Sequence, residues 1–340
     1  MAKRLRVLVA GTGYFSQFHY DAWSRCPEVE VVGIASLGQT AALAFAEKFP
    51  SAKVLDDVVK MIDEVAADLI DIVTPPPTHL PFIELAASKG LDVICQKPFC
   101  GTLEQAKEAT ETAAQAGVTL LVHENFRFQP WYLKIKQELH RVGALYRTTF
   151  RLRPGDGQGP QAYLERQPYF QQMEKFLIHE TAIHHIDVAR FFFGEPANVY
   201  ADLAQLNPVI SGEDSALVTL GYEHGHRVVV DGNRLSDHAA ENCRRTMGEL
   251  MIEGENGVLT LNGDGEVFFR AHGSQNPERL SYEWNDIGFG GDCVFNFTRH
   301  AVDHFVNGTD AQTTAEDYLH NLVLEERVYT SADEGRKIDV

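Results

Sequence analysis

The sequence predicts an α/β domain with a parallel sheet, followed by an α+β domain built on a large, open and mostly antiparallel sheet. Short apolar runs alternate with helical patterns over the first 122 residues, which is typical of β-α-β units. Strand-like runs and hairpin turns dominate after residue 123, which favours an antiparallel sheet. The 340 residues exceed what one ordinary hydrophobic core organises. We therefore expect two domains, residues 1–122 and 123–340.

The predicted elements of the first domain alternate between strand and helix. The strands span residues 5–10, 29–35, 69–73, 91–95 and 118–122, and the helices span residues 14–24, 40–49, 81–89 and 103–116. Gly117 follows the last of these helices and suits a C-terminal cap. Parallel strands joined by helices cross over with a right hand, so these units are expected to form one sheet.

The second domain begins with a helical pattern over residues 131–141 and a strand over 146–153. A loop rich in Gly, Pro and Gln follows, and then a strong helix over 178–193 that ends at Gly194. Further strands are predicted at 199–206, 216–222, 227–231, 249–253, 258–261 and 267–270, and helices at 293–306 and 315–333. Turn signals separate several of these strands, as hairpins require.

Composition narrows the classes of partner. The net charge of −18 opposes binding to nucleic acid, which is itself a polyanion. No apolar run approaches the roughly 20 residues that cross a bilayer, so we expect no membrane partner. The basic start runs into a strand and a glycine turn, which predicts no signal peptide. The five cysteines form no Cys-x-x-Cys pair, which favours a cytoplasmic protein over a disulfide or zinc scaffold.

A glycine-rich turn follows the first predicted strand and opens the first helix. It reads GTGYFS, a G-x-G-x-x-G pattern in which Ser16 takes the third place. The first glycine permits a tight turn, and the second lets a pyrophosphate approach the backbone at the positive end of a helix. The turn and its β-α-β context predict a Rossmann dinucleotide-binding domain. The predicted cofactor contacts here are Gly11, Thr12, Gly13, Tyr14 and Phe15.

The end of the second strand bears on the choice of nicotinamide cofactor. An acid usually holds the adenosine ribose of NAD at this point, but residues 35–39 read ASLGQ. No Arg or Lys is present to neutralise a 2′-phosphate, so the sequence favours NAD and leaves NADP open. Ser36 is the candidate ribose contact.

Two later turns are expected at the carboxyl edge of the same sheet, where ligands of this fold bind. The first runs from Thr74 through Pro75 to His79, and prolines stiffen it beside the nicotinamide ribose. The second is Gln96-Lys97-Pro98, directly after the 91–95 strand. The predicted cofactor contacts in these two turns are Thr74, Pro75, His79, Gln96 and Lys97. An ammonium group at this edge can polarise a hydroxyl or carbonyl oxygen, so Lys97 is a candidate catalytic residue.

The helix over 178–193 carries the other candidates. Glu180, His184 and Asp187 are spaced i, i+4, i+7 and are expected on one face. Oxidation of an alcohol needs a base for the hydroxyl proton, and a histidine held by a carboxylate suits that role. The spacing opposes a zinc site of the H-E-x-x-H type, because His179 and His184 are one residue too far apart, although Glu180 and His184 could still contribute two ligands. We expect no metal.

Together with His19 beyond the glycine turn, these marks resemble the Gfo/Idh/MocA oxidoreductases, the family of glucose–fructose oxidoreductase and inositol dehydrogenase. Gln96 and Glu180 depart from the usual Glu and Asp of the E-K-P and D-x-x-x-H motifs, whereas Lys97 and His184 are kept. The resemblance implies catalytic roles for Lys97, His184 and Glu180, with NAD or NADP and a sugar or polyol substrate. It also implies a homo-oligomer, a dimer or tetramer, packed through the exposed face of the C-terminal sheet.

Within the family, residues 155–170 and the following His179-Glu180 resemble aldose dehydrogenases of the D-apiose type. The candidate substrate residues are Lys97, Asn125, Arg153, Tyr163, Tyr169, Glu180 and His184. The leading hypothesis is an NAD(P)-dependent dehydrogenase that oxidises an alcohol or hemiacetal carbon of a sugar or polyol. Alternatives are a non-catalytic nucleotide- or sugar-sensing protein, which the retained Lys97 and His184 oppose, and a metal-dependent lyase or hydrolase.

Overall fold

The computed structural model describes residues 4–340, which form two compact units. The first unit contains residues 4–125 and Val294–His320, and the second contains Phe126–Cys293 and Asn321–Val340. The sequence predicts one break after residue 122, whereas the chain returns to the first unit near its end. The return has a packing reason, because Phe297 is fully buried and its ring lies 4.1 Å from that of His123.

The first unit is built on a six-stranded sheet in the order 3-2-1-4-5-6, with every neighbouring pair parallel. The strands are β1 (Leu5–Ala10), β2 (Val29–Ala35), β3 (Lys53–Leu55), β4 (Leu69–Ile72), β5 (Asp92–Gln96) and β6 (Leu120–His123). Strand order reverses direction between β1 and β4, and ligands of open parallel sheets bind at such a reversal, beyond the carboxyl ends of the strands.

Five helices connect these strands: α1 (Ser16–Ser24), α2 (Gln39–Ala46), α3 (Val58–Glu64), α4 (His79–Ser88) and α5 (Leu103–Ala116). Neither β3 nor α3 was predicted from the sequence. A three-residue strand is too short to show alternation, although Asp57 is a good N-cap that accepts from the amides of Val59 and Lys60. Gly117 takes the predicted cap position in the left-handed conformation, with φ of 68°.

The second unit contains a nine-stranded sheet in the order 14-13-12-11-7-10-9-8-15. The strands are β7 (Leu145–Leu152), β8 (Asn198–Ala204), β9 (Ser215–Gly221), β10 (Arg227–Asn233), β11 (Gly248–Gly254), β12 (Gly257–Leu261), β13 (Val267–Ala271), β14 (Glu278–Leu280) and β15 (Ile338–Asp339). Each neighbouring pair is antiparallel except β7 and β10, which are parallel. The predicted fold class is therefore confirmed.

The remaining helices are α6 (Pro130–Glu138), α7 (Ile183–Phe193), α8 (Cys293–Asn307) and α9 (Ala315–Glu334). A π-helical turn, Leu177–Ala182, leads directly into α7. Inward-facing side chains of the sheet, among them Phe150 and Val230, join Ile186 and Val188 of α7 in one hydrophobic core. This core holds the π turn and α7 against the sheet.

Membrane insertion is not indicated by the helices within residues 4–340. None of them combines the length and hydrophobicity that crossing a bilayer needs.

Candidate functional site

The glycine turn lies at the carboxyl end of β1, next to that of β4. Gly11 has φ of 111°, and a Cβ on it would lie 2.6 Å from the carbonyl oxygen of Val73. Its amide donates to the carbonyl of Ala35 on β2 at 2.8 Å. Any larger residue would therefore push β1 and β4 apart at the edge where a ligand is expected.

The start of α1 fits the pyrophosphate of a dinucleotide. A Cβ on Gly13 would meet nothing within 4 Å in the described part of the chain, so the backbone there is open to a ligand. Within residues 4–340, Phe15 at the N-cap of α1 makes no side-chain capping hydrogen bond, and the positive end of a helix dipole is where an anion binds favourably. Ser16 is buried, and its hydroxyl donates to the carbonyl of Gly13 at 2.7 Å. Serine thus fills the third glycine position by bonding within the turn.

The end of β2 places Ser36 beside the glycine turn. Its Oγ lies 2.6 Å from Oγ1 of Thr12 and accepts from the amide of Gly38 at 3.2 Å. Leu37 next to it is 97% exposed, as expected of a loop residue that contacts a ligand or solvent rather than the core. The residues at the expected ribose position are therefore uncharged, and Ser36 is the polar one nearest the glycine turn.

The turn after β4 is braced internally. Oγ1 of Thr74 lies 2.6 Å from Oγ1 of Thr78, and Nε2 of His79 donates to the carbonyl of Thr74 at 2.7 Å. His79 is fully buried, and burial lowers its pKa to about 4, so the ring is neutral at pH 7. The ring of His79 thus holds the shape of the turn that begins at Thr74 and Pro75.

Lys97 follows β5, the neighbour of β4, at the same carboxyl edge. Its side chain is half-buried, and its amide donates to Oε1 of Gln96 at 2.7 Å. Nε2 of Gln96 lies 2.9 Å from Nε2 of His19, whose Nδ1 lies 2.9 Å from Oδ2 of Asp71. Sequence reasoning missed Asp71, because a single acid inside an apolar strand carries no motif.

The π turn in the second unit changes the expected geometry of the site helix. The sequence predicts one regular α-helix over residues 178–193, whereas residues 177–182 are π-helical and α7 begins at Ile183. Glu180 therefore does not sit one regular turn above His184. His184 is buried, and its ring stacks on that of Phe126 at 3.9 Å between centroids and 6° between planes.

Asp187 has a different environment from the one its spacing suggested. It is fully buried, accepts from Nε of Arg127 at 2.8 Å, and accepts from Nδ2 of Asn321 at 2.8 Å. This ion pair ties α7 to the segment after β6 and to α9. A structural anchor therefore accounts for the third residue of the predicted Glu180, His184, Asp187 face.

Glu180 is held by a group that sequence reasoning missed. Its Oε2 accepts from the hydroxyl of Thr181 and from Nη1 of Arg234 at 3.2 Å. Arg234 is 2% exposed and also pairs with Asp156, with Nη2 donating to Oδ2 at 2.9 Å. Asp156, Glu180 and Arg234 lie far apart in the sequence, and no local pattern marks them.

The other candidate substrate residues differ in their burial and in their side-chain partners. Asn125 ends the first unit and is buried. Arg153 forms an ion pair with Asp231, and Nη2 of Arg153 donates to Oδ1 of Asp231 at 2.7 Å. The ring of Tyr163 packs in a small core, and its hydroxyl donates to Asp156 at 3.3 Å, whereas Tyr169 is 56% exposed. Of the two tyrosines, Tyr169 is thus the accessible one.

Comparison with known proteins decides the family. Residues 5–124 match the family description "oxidoreductase family, NAD-binding Rossmann fold", and residues 141–260 match the GFO/IDH/MocA C-terminal domain. This chain belongs to the Gfo/Idh/MocA oxidoreductases. The predicted family, the NAD cofactor and the enzyme class are thereby confirmed, while the roles given to single residues stay predictions.

The similarity to known proteins extends over nearly the whole length of this Gfo/Idh/MocA oxidoreductase. A D-apiose dehydrogenase of Paraburkholderia graminis is 32% identical, over 99% of this chain and 90% of the relative. One of Rhizobium rhizogenes is 27% identical, over 99% and 97%. An oxidoreductase from Agrobacterium radiobacter, solved with NAD+, L-tartaric acid and magnesium, superposes with a TM-score of 0.89 at 26% identity, over 99% and 98% of the two chains.

Proposed function

We propose that this Gfo/Idh/MocA oxidoreductase is an NAD-dependent dehydrogenase that oxidises an alcohol or hemiacetal carbon of a sugar or polyol. The observation that carries the proposal is Lys97, which follows β5 at the carboxyl edge of an NAD-binding sheet. The first substrate to test is D-apiose, because the relatives that are 32% and 27% identical are named D-apiose dehydrogenases. Use of NADP in place of NAD is left to the same assay.

Bound NAD would supply the hydride acceptor, and residues of the chain would bind the cofactor and substrate and take up the hydroxyl proton. In this proposal the glycine turn and the amides of α1 hold the pyrophosphate, and Ser36 contacts the ribose. The Lys97 ammonium hydrogen-bonds the reacting hydroxyl oxygen and stabilises negative charge on it. His184 takes the hydroxyl proton, and Glu180 binds a neighbouring hydroxyl or orients the histidine.

The decisive experiment follows reduced-nicotinamide absorbance with NAD or NADP and a panel of D-apiose, other aldoses and inositols. Turnover of at least one sugar or polyol is expected, and His184→Ala should lower kcat by at least ~10²-fold, because it removes the general base. His179→Ala is the matched control: it removes a histidine of the same segment whose Nδ1 bonds Glu325 at 2.7 Å. Near-wild-type turnover in His184→Ala would reject this residue assignment. NAD binding without turnover of any sugar would favour the sensing protein.

We also propose a substrate contact from Tyr169, whose exposure sets it apart from the packed Tyr163.

Self-association through the outer face of the second sheet is proposed as well, supported by the exposed Tyr200, Leu217 and Met251 on β8, β9 and β11. A cytoplasmic location is supported by the five cysteines, all of which are free thiols.

A further inference from the structure

A buried hydrogen-bonded bridge lies beneath Lys97 in the first unit. It consists of Asp71 on β4, His19 on α1 and Gln96 at the end of β5, and we refer to it as the histidine bridge. The three residues are 0%, 1% and 7% exposed. Successive contacts of 2.9 Å, 2.9 Å and 2.7 Å lead from Asp71 Oδ2 through His19 and Gln96 to the amide of Lys97.

Donor chemistry fixes the direction of every bond in the histidine bridge. The amide of Lys97 can only donate, so the Gln96 atom that faces it is the oxygen. The other end of the same side chain is therefore the NH2 group, which donates to Nε2 of His19. Nε2 must then carry a lone pair, which puts the ring proton on Nδ1, where it donates to Asp71.

Asp71, at the far end of the histidine bridge, has a second donor. The carboxylate of Asp71 also accepts from Nε1 of Trp23 at 2.7 Å, so two neutral donors meet its Oδ2. The titratable groups that face the His19 ring are Asp71 on β4 and His123 on β6, whose ring lies 4.1 Å away between centroids. A carboxylate at position 96, the residue usual in the E-K-P motif, would accept at both ends and require a proton on Nε2 as well.

We propose that Gln96 is a positioning residue that joins the main chain of Lys97 to Asp71 through a neutral His19 with its proton on Nδ1. The bridge holds the main chain of Lys97 at the carboxyl edge without adding a second buried carboxylate to the Asp71–His19 pair. The structural part stands alone, whereas the consequence for turnover rests on the proposed dehydrogenase function.

The first test reads the His19 ring directly in the full-length protein. Nitrogen-15 NMR of histidine-labelled protein distinguishes the two neutral tautomers and the imidazolium. The His19 signals are assigned by their loss in His19→Asn or, if that variant does not fold, by their change in Gln96→Glu. We expect the Nδ1–H tautomer between pH 6 and 8. An Nε2–H tautomer or an imidazolium in that range would overturn the proposal.

The second test uses Gln96→Glu and needs no substrate. A carboxylate at position 96 can pair with Nε2 of His19 only when that nitrogen carries a proton, so we expect this contact to stabilise the folded variant at low pH and to be lost as pH rises. The melting temperature of Gln96→Glu should therefore fall relative to wild type between pH 6 and 9, by about 3 °C. His19→Asn combined with Gln96→Glu should remove this pH dependence. A constant gap across the range would count against the bridge.

Turnover supplies the third test. Since low pH restores a donor at Nε2 of His19, kcat of Gln96→Glu should approach wild type at pH 6 and fall at least fivefold relative to wild type by pH 9. A ratio independent of pH would show that Gln96 does not act on Lys97 through His19. If no sugar is oxidised by wild type, the dehydrogenase proposal fails while the NMR and melting tests still decide the bridge.

Discussion

Ser36 stands where a dinucleotide-binding sheet usually places an acid on the adenosine ribose. Its hydroxyl bonds to Thr12 and Gly38, and residues 35–39 contain neither an acid nor a base. Ser36→Asp should therefore lower kcat/KM for NADP relative to NAD by at least ~10-fold, the effect of about 1.4 kcal/mol of repulsion. Ser36→Arg should shift the ratio toward NADP, because a guanidinium pairs with a phosphate. Equal ratios in the wild type and both variants would place the ribose elsewhere.

At the scale of single residues, the sequence identified side chains whose chemistry stands out at a marked position. Gly11 and Lys97 follow apolar strands, and both lie at the carboxyl edge of the sheet as predicted. It did not identify Arg234 or Asp71, whose partners are distant along the chain. Arg234 bonds to Asp156 across 78 positions, and Trp23 bonds to Asp71 across 48. Such pairs become visible only when the fold brings their elements together.

At the scale of elements, the π turn before α7 depends on an acid from another segment. Oε1 of Glu213 accepts from the amides of Phe176 and Ile178 at 3.2 Å and 3.0 Å, and from the hydroxyl of Tyr329 at 2.8 Å. Burial and then the charge of Glu213 raise the pKa of Tyr329, which keeps its hydroxyl protonated as a donor. The sequence predicted the helix but not this turn, since a π turn is set by tertiary contacts such as these.

Glu213→Ala should destabilise this turn strongly. It leaves buried amides without an acceptor and is expected to lower the free energy of unfolding by about 2–4 kcal/mol, measured by urea denaturation. Glu213→Gln keeps an oxygen of the same reach and should lose about 1 kcal/mol. Equal losses in the two variants would show that the capping oxygen is not what stabilises the turn.

The loop from Pro154 to Phe170 is attached through Asp156, and this contact has a predictable pH dependence. Burial acts to raise the pKa of Asp156, but the charge of Arg234 and hydrogen bonds from Arg234 and Arg166 lower it overall. Its stabilisation is therefore present above the ordinary pKa of about 3.9 and lost as pH falls through the lowered value. The free-energy difference between wild type and Asp156→Asn should be about 3 kcal/mol near pH 7 and shrink below about pH 4.

Urea midpoints over pH 3 to 7 measure this difference. Asp231→Asn is the matched control, because Asp231 also pairs with an arginine but its side chain is 39% exposed, and it should cost less than ~1 kcal/mol. A gap between wild type and Asp156→Asn that stays constant down to pH 3 would mean that ionisation of Asp156 does not stabilise the loop.

At the scale of the whole molecule, the sequence predicted the two architectures but not how the chain is divided between them. Alternation of strands and helices predicted the first sheet, and hairpin turns predicted the second. An amphipathic helix such as α8 shows which of its faces is buried but not which sheet covers it. Val294–His320 returns to the first unit because it meets partners there: the Arg299 side chain pairs with Glu28 at 2.7 Å, and the backbone of Thr314 forms a β-bridge with Leu121.

This division predicts that a residue near the C-terminus influences NAD binding. The ring of Phe297 packs against that of His123 in a tilted arrangement, His123 packs in the same way against His19 of the histidine bridge, and that bridge ends at the amide of Lys97. Phe297→Ala should lower the free energy of unfolding by about 3–5 kcal/mol and weaken NAD binding severalfold, read by calorimetry below the unfolding range. Phe150→Ala empties an equally buried site in the core of the second unit and should cost as much stability while leaving the NAD dissociation constant unchanged. If both variants weakened NAD binding equally, general destabilisation would explain the effect, and Val294–His320 would not act on the cofactor site through its packing.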